Sequence, residues 1–368
     1  MTVRAAVVGL GWAGRELWLP RLRTHEDFEV VSVVDPDPAL RAAVAEATGL
    51  PAHAAVDALS TRDVDVVVVA VPNHLHSEVA AALLRRGLSV FLEKPVCLTS
   101  AEADTLARAE REGGGMLLAG SAARHRADVR ELAALVPGLG RVRHVDLAWV
   151  RARGVPKAGG WFTQRSLAGG GVLVDLGWHL LDALASVVGP AGFAQVVGAT
   201  SDDFVNVGAW SAAWRQDQPA DALSGDVEDT ARGFLVRDDG ISVALRASWA
   251  SHAALDLSLI HVEGSAGTAE LRCTFGFSPN RQPESVLTVT REGTTQPIPV
   301  PAEPIGAEYR RQLDGLAALL ADPANRGRAI EQARGTVQLI ESFYESARAA
   351  GGARSARPAA THEEVRTS

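Results

Sequence analysis

The chain is short of cysteine. It has two in 368 residues, Cys97 and Cys273, and neither has the close pairing of a zinc or redox motif. A disulfide framework is therefore excluded, a reducing compartment is the simpler reading, and no metal is expected. A basic excess is missing too: 36 Lys and Arg against 44 Asp and Glu leave a formal net charge of −8. That argues against nucleic acid as a partner, which would call for a basic stripe, and gives no reason for attraction to anionic membranes. An anionic small substrate stays open, because local charge decides it. Met1 to Ala6 carries no basic leader followed by an apolar core, and no run reads as long and apolar enough to span a bilayer. A cytoplasmic protein is the expectation. What the chain does have is 47% apolar and 22% charged residues, ordinary for a globular protein, and a length that favours two domains.

The first third alternates short β-branched runs with alanine-rich helical stretches. Arg4–Val8, Phe28–Asp35, Asp65–Val71, Ser89–Leu92 and Met116–Ala119 read as strands. Gly14–Thr24, Pro38–Thr48, Ser77–Arg86 and Ser100–Glu112 read as the helices between them. Strand and helix in alternation mean βαβ units and a parallel sheet, so the fold class is α/β. The rhythm changes near Gly120. A helix at Asp128–Leu135, a strand at Arg141–Val150, a glycine-rich basic loop, a helix at Val172–Val187 and then mostly strands to Val300 predict an α+β domain with a large antiparallel sheet. Its clearest hairpin turns at Asp239-Gly240. Helices at Glu308–Leu320 and Ala329–Ala349 follow. The expected division is 1–121, 122–349, and a disordered tail at 350–368.

Gly9-Leu-Gly11-Trp12-Ala13-Gly14 follows the first strand and opens the first helix. Gly9 permits the tight turn, Gly11 lets a pyrophosphate approach the backbone, and Gly14 lets helix and strand pack closely. The helix N-terminus offers N–H groups to the phosphates. Asp35 ends the second strand, where it can accept hydrogen bonds from the adenosine ribose. No basic side chain immediately follows to meet a 2′-phosphate, and Arg41, the nearest, reads as a solvated helix residue. NAD is therefore the expected cofactor, with NADP the second candidate.

Three further segments carry a resemblance: Pro72-Asn73-His74-Leu75-His76, Glu93-Lys94-Pro95 at the end of a buried strand, and Gly169-Gly170-Gly171-Val-Leu-Val-Asp175-Leu-Gly177-Trp-His179. In this order they resemble the Gfo/Idh/MocA oxidoreductases, the glucose–fructose oxidoreductase and inositol dehydrogenase group, over about Val3 to Arg348. The resemblance implies a Rossmann domain joined to an α+β domain with an open, mainly antiparallel sheet, a site between them, and homodimers or homotetramers built through that sheet. It also implies that Pro72, Asn73, His76, Glu93 and Lys94 line the nicotinamide half, with Arg124 near the cofactor; a structural ion pair is the other reading of Arg124. One departure is visible: many relatives carry a histidine where this chain has Trp18.

Asp175 and His179, four apart in a helix, lie on one face among apolar neighbours. The glycines before them would let the backbone pass close to a ligand. The expected chemistry is hydride exchange between nicotinamide and a CH–OH or keto carbon of a sugar, aminosugar or cyclitol. His179 would act as general base, Lys94 would steady the alkoxide, and Asp175 would orient the substrate or the histidine and balance the lysine charge. Trp161 and Trp178 could cover a sugar ring, or be core residues. Arg151, Arg153, Lys157 and Arg165 could meet an anionic group, or be a solvated loop. Two other functions stay open: a keto-sugar reductase of a biosynthetic pathway, and a catalytically inactive cofactor-binding regulator. A third uses NAD transiently for non-redox chemistry.

Overall fold

The computed structural model describes residues 2–212 and 224–355. Six strands, β1 (Val3–Val8), β2 (Phe28–Val34), β3 (Ala52–His53), β4 (Val66–Val69), β5 (Ser89–Leu92) and β6 (Leu117–Ala119), form a wholly parallel sheet in the order β3-β2-β1-β4-β5-β6. All four residues of β4 are buried, which is why that strand is unbroken valine: helices cover both faces of the sheet. The chain winds outward from β1 through β2 and β3, then returns to the other side of β1 with β4. That reversal opens a crevice between the carboxyl ends of β1 and β4, where ligands of such sheets bind.

The first helix differs from the expected regular one. Residues Ala13–Trp18 form a wide π-turn and Leu19–Arg23 an α-helix. Pro20 has no N–H to return to the preceding turn, and the extra residue in the π-turn absorbs that loss.

The second sheet contains β7 (Val142–Val150), β8 (Phe193–Ser201), β9 (Thr230–Arg237), β10 (Ser242–Ser248), β11 (Leu257–Gly264), β12 (Thr268–Cys273), β13 (Val286–Arg291) and β14 (Thr294–Ile298). Its order is β14-β13-β12-β11-β7-β10-β9-β8, antiparallel except where β10 lies parallel to β7. The expected hairpin is present, turning at Gly240 with φ +84°. One face packs on the helix Trp178–Val188 and on the last helix. There Phe343 occupies the space that side chains at Gly198 and Gly233 would need. The other face is open, with Val197 65% and Phe234 49% exposed.

Three expectations change. Leu313 and Leu316, on the helix Ala307–Ala321, belong to a core with Leu22, Phe28 and Phe91, so this late segment completes the first domain rather than the second. The last helix, Arg328–Ser355, continues into the stretch expected to be a tail; the rest of that stretch lies outside the described residues. The run Arg165–Val188 is long and apolar enough to cross a membrane by length and composition, contrary to the sequence reading, and most of it lies buried inside the fold.

Candidate active site

The glycine loop sits at the crevice. Gly9 has φ +90°, and a Cβ there would meet the Ala70 carbonyl at 2.6 Å. A Cβ at Gly14 would lie 1.8 Å from the Gly9 oxygen, so helix and strand touch through it. Nothing lies within 4 Å of a Cβ at Gly11, which leaves that backbone open to an approaching group. Asp35 is buried at the end of β2. One carboxylate oxygen accepts from the Leu10 N–H at 2.7 Å and the other from the Asp37 N–H at 2.8 Å. Arg41 is not simply solvated, for its guanidinium donates to the Asp35 carbonyl at 2.7 Å. The loop and carboxylate fit a dinucleotide: Gly11, Trp12 and Ala13 would face the pyrophosphate and Asp35 the ribose. Trp12 stands 53% exposed, its ring edge-on to Phe277 of the second domain at 5.4 Å.

Lys94 leaves the end of β5 and reaches the second domain. Its Nζ lies 2.6 Å from Asp175 Oδ1 and 3.3 Å from the Asp175 carbonyl. The other oxygen, Asp175 Oδ2, accepts from the Trp249 indole N–H at 2.9 Å. Trp249 is fully buried just past β10 and was not singled out from the sequence. Asp175 falls in a π-turn, Leu173–Gly177, and His179 in the α-helix that continues it. A turn wider than 3.6 residues brings positions four apart closer to the same face. The half-buried His179 ring lies 5.6 Å from Trp149. Burial, then the Lys94 charge, push its pKa down to about 3, with Asp175 pulling it back and Arg151 adding to the depression. The imidazole is therefore neutral at neutral pH and can accept a proton. A neutral imidazole there can take the proton of a hydroxyl, and an ammonium locked to a carboxylate beside it can steady the oxygen as its negative charge develops.

Several supports were misjudged from the sequence. Trp18, fully buried, donates through Nε1 to Glu93 Oε1 at 2.7 Å, while Glu93 Oε2 accepts from the Lys94 N–H at 3.0 Å. The departure from relatives at that position thus holds the turn that carries Lys94. Burial raises the Glu93 pKa, opposed by Lys94 and Trp18. His76 has both ring nitrogens against backbone carbonyls, Nδ1 at 2.6 Å from Pro95 and Nε2 at 2.8 Å from Val71. The neutral ring has one N–H and so donates to one of the two carbonyls while lying against the other, between the Pro72 turn and the Lys94-Pro95 turn. Asn73 spends its amide N–H on the Ala168 carbonyl at 3.0 Å, joining the two domains.

Other expectations are corrected. Arg124 pairs with Asp182 on the Asp175–His179 helix. Trp178 turns to the back of that helix, where with Val174 and Tyr344 it lines a cavity of about 300 Å³. Trp161 packs on Phe162, ring centroids 4.2 Å apart. The glycine triplet is explained by protein rather than ligand: a Cβ at Gly170 would lie 2.1 Å from the Tyr344 hydroxyl, and one at Gly171 1.9 Å from the Glu228 carbonyl. The basic loop splits. Arg151 is buried with its guanidinium 5.3 Å from the Trp149 ring, whereas Arg153 is exposed over Trp210 at 5.5 Å. Arg165 pairs with Glu228 at 3.1 Å, and Lys157 is exposed. Among the described residues no three His, Cys, Asp or Glu side chains are grouped to hold a metal.

A parallel sheet with a dinucleotide loop at its switch point, and a lysine at one strand end that meets an aspartate and a histidine of a second domain, defines a two-domain nicotinamide-dependent oxidoreductase. Residues 3–121 match the GFO/IDH/MocA oxidoreductase family with its NAD-binding Rossmann fold, and residues 130–270 match the GFO/IDH/MocA C-terminal domain. The chain belongs to this family. It is 71% identical over 359 residues to a protein of Amycolatopsis mediterranei (strain S699) named as an oxidoreductase subunit of UDP-kanosamine synthase, covering 98% of this chain and 99% of that one. It is 30% identical over 257 residues to D-glucoside 3-dehydrogenase of Escherichia coli (strain K12), covering 67% and 70% of the two chains. Aldose-aldose oxidoreductase from Caulobacter crescentus shares the fold, with a TM-score of 0.76 at 24% identity over 95% of this chain and 98% of that one. The protein is therefore an NAD(P)-dependent oxidoreductase.

Proposed function

We propose that the protein oxidises a ring hydroxyl of a nucleotide-linked hexose to a ketone, with NAD as hydride acceptor. The observation that carries this reading is the 2.6 Å Lys94–Asp175 pair beside a neutral His179, where the second domain meets the end of β5. Nicotinamide, when bound, supplies the hydride acceptor. His179 takes the hydroxyl proton, Lys94 steadies the oxygen as its charge grows, and Asp175 keeps the ammonium in place. In reverse His179 returns the proton. Asp35 selects NAD over NADP. Glu93, His76 and Asn73 act by holding the turns around the nicotinamide half.

The nucleotide-linked class rests on the relative named for UDP-kanosamine synthase, and the far rim of the second domain suits it. There Phe204, Trp210 and His252 form an edge-to-face cluster with ring centroids 4.9 to 6.0 Å apart, Arg153 lies over Trp210, and Arg153 is bridged to Ala250, the residue after Trp249. Aromatic faces with a guanidinium suit a base and its phosphates. The open sheet face carries Val197 and Phe234, and a second copy of the chain would cover it in a homodimer or homotetramer. We place the protein in the cytoplasm.

The test is a panel of UDP-hexoses, free hexoses, methyl glucosides and cyclitols with NAD and NADP, run at alkaline pH with hydroxylamine to trap a ketone. NADH formation at 340 nm with a UDP-hexose, far exceeding that with the free sugar, is the expected result. Failure of every sugar in both directions with both cofactors overturns the reading. Replacing Arg153 by Met and Trp210 by Ala should cost about tenfold or more in kcat/KM for the UDP-hexose, and less for the free sugar.

A further inference from the structure

We propose that Glu228 is the positioning residue of the site, setting Asp175 and through it Lys94 while touching neither substrate nor cofactor. This rests on the reading of Lys94, Asp175 and His179 given above.

A helix begins with N–H groups that have no partner inside it, and the helix bearing Asp175 and His179 has no cap from its own first residues. Its cap comes from more than fifty residues away in sequence. Glu228 Oε1 accepts from the Gly171 N–H at 3.0 Å and the Leu173 N–H at 3.2 Å, and the Glu228 carbonyl accepts from the Val172 N–H at 3.0 Å. One buried residue, 4% exposed, takes three consecutive N–H groups and places a carboxylate at the positive end of the helix. Tyr344 donates its hydroxyl to the same oxygen at 2.7 Å, and Arg165 binds the other at 3.1 Å. The side chain is thus fixed on every side.

A second leg leaves the next residue. The Asp229 carbonyl accepts the Trp249 N–H at 2.9 Å, and the Trp249 indole reaches Asp175 Oδ2. Asp175 is therefore held twice from one point at the head of β9: its backbone through the capped turn, its carboxylate through the indole. The glycine triplet is the geometric requirement of this arrangement, because a Cβ at Gly171 would strike Glu228 itself. Glu228 thus acts on Asp175 through the backbone of the capped turn, and its neighbour Asp229 acts on it through Trp249.

The experiment compares Glu228→Gln, which keeps an oxygen for the helix N–H groups, with Glu228→Ala, which does not. Wild-type turnover is measured first, so failure of the oxidoreductase reading shows there and nowhere else. For Glu228→Ala kcat should fall about fiftyfold or more, with the dissociation constant for NAD within about twofold of wild type; Glu228→Gln should recover most of the loss. A second readout needs no turnover: the Trp249 indole N–H resonance, assigned by its disappearance in Trp249→Phe, should move in Glu228→Ala and stay in Glu228→Gln. Should the alanine variant be insoluble, Glu228→Asp, one methylene shorter, replaces it in both measurements. The proposal is overturned by an indole resonance that does not move, by kcat within about threefold of wild type in the alanine variant, or by Gln and Ala variants that fall equally.

Discussion

Replacing Trp249 by Phe removes one hydrogen-bond donor from Asp175 and little else that a charge would notice. The indole N–H to Oδ2 contact is 2.9 Å long and lies in a fully buried side chain. A hydrogen bond to a charged group is worth about 1.5–3 kcal/mol, and a buried oxygen that loses its partner bears that cost without water to replace it. About 2 kcal/mol placed wholly in the transition state would be roughly thirtyfold in kcat. It will not all fall there. Lys94 contacts both the carboxylate and the carbonyl of Asp175, so the ion pair survives with more freedom. We expect kcat to drop about tenfold, the rest of the cost to appear as a lower Tm, and KM for NAD to stay within about twofold. Steady-state kinetics against both substrates and a thermal melt give the three numbers. A variant with a lower Tm and kcat within twofold of wild type would mean that Trp249 supports the fold and leaves the carboxylate indifferent.

Lys94→Ala should lower turnover by about a thousandfold or more while NAD still binds with nearly wild-type affinity, measured by calorimetry; retained turnover would remove the ammonium from the chemistry. Asp35→Ser should weaken NAD and raise kcat/KM for NADP by about tenfold, because Arg41 is already anchored at that strand end; an unchanged cofactor ratio would count against the ribose contact. Burial holds the His76 pKa near 4, below its ordinary 6.5. A depressed folded-state value means that the stability is present above pH 6.5 and lost as pH falls toward 4, by about 3 kcal/mol for this one group. Urea midpoints should therefore fall over that window in the wild type and fall less in His76→Asn, and equal falls would exclude it. The same sign applies to His179, whose pKa of about 3 puts the acid limb of kcat/KM well below 6.5. A limb centred at 6.5 would mean a solvated imidazole.

What could be read from sequence was what acts over a few residues. The glycine loop and Asp35 are local: Gly14 answers a contact inside its own strand–turn–helix unit and Gly11 stays open, while Gly9 abuts Ala70 on the neighbouring strand end. Val66–Val69 announced a strand buried on both faces, and Asp239-Gly240 a hairpin. Lys94 and His179 were singled out by motif and Asp175 by its spacing from His179, and the structure brings Lys94 onto Asp175. What sequence did not show is which of the residues it singled out also have a protein partner distant in the chain. Arg124 pairs with Asp182, His76 lies between two backbone carbonyls, and Gly170 and Gly171 are pressed against Tyr344 and Glu228.

The reverse error is as instructive. Trp249 and Glu228 gave no signal, because a tryptophan after a strand and a glutamate before one are ordinary, and their partners lie 74 and 55 to 57 positions away. Trp18 was read only as a departure from relatives, yet its indole donates to Glu93 across 75 positions and steadies the turn from which Lys94 projects. Polar groups buried beside a reacting centre must find partners or cost the fold several kcal/mol, so an active site drawn from two domains recruits them from wherever the chain returns. The side chains that meet the substrate are confined by chemistry to a few residue types and so leave a motif. Those that aim them need only a donor or an acceptor at the right point in space, and an indole, a carboxylate or a carbonyl will each serve.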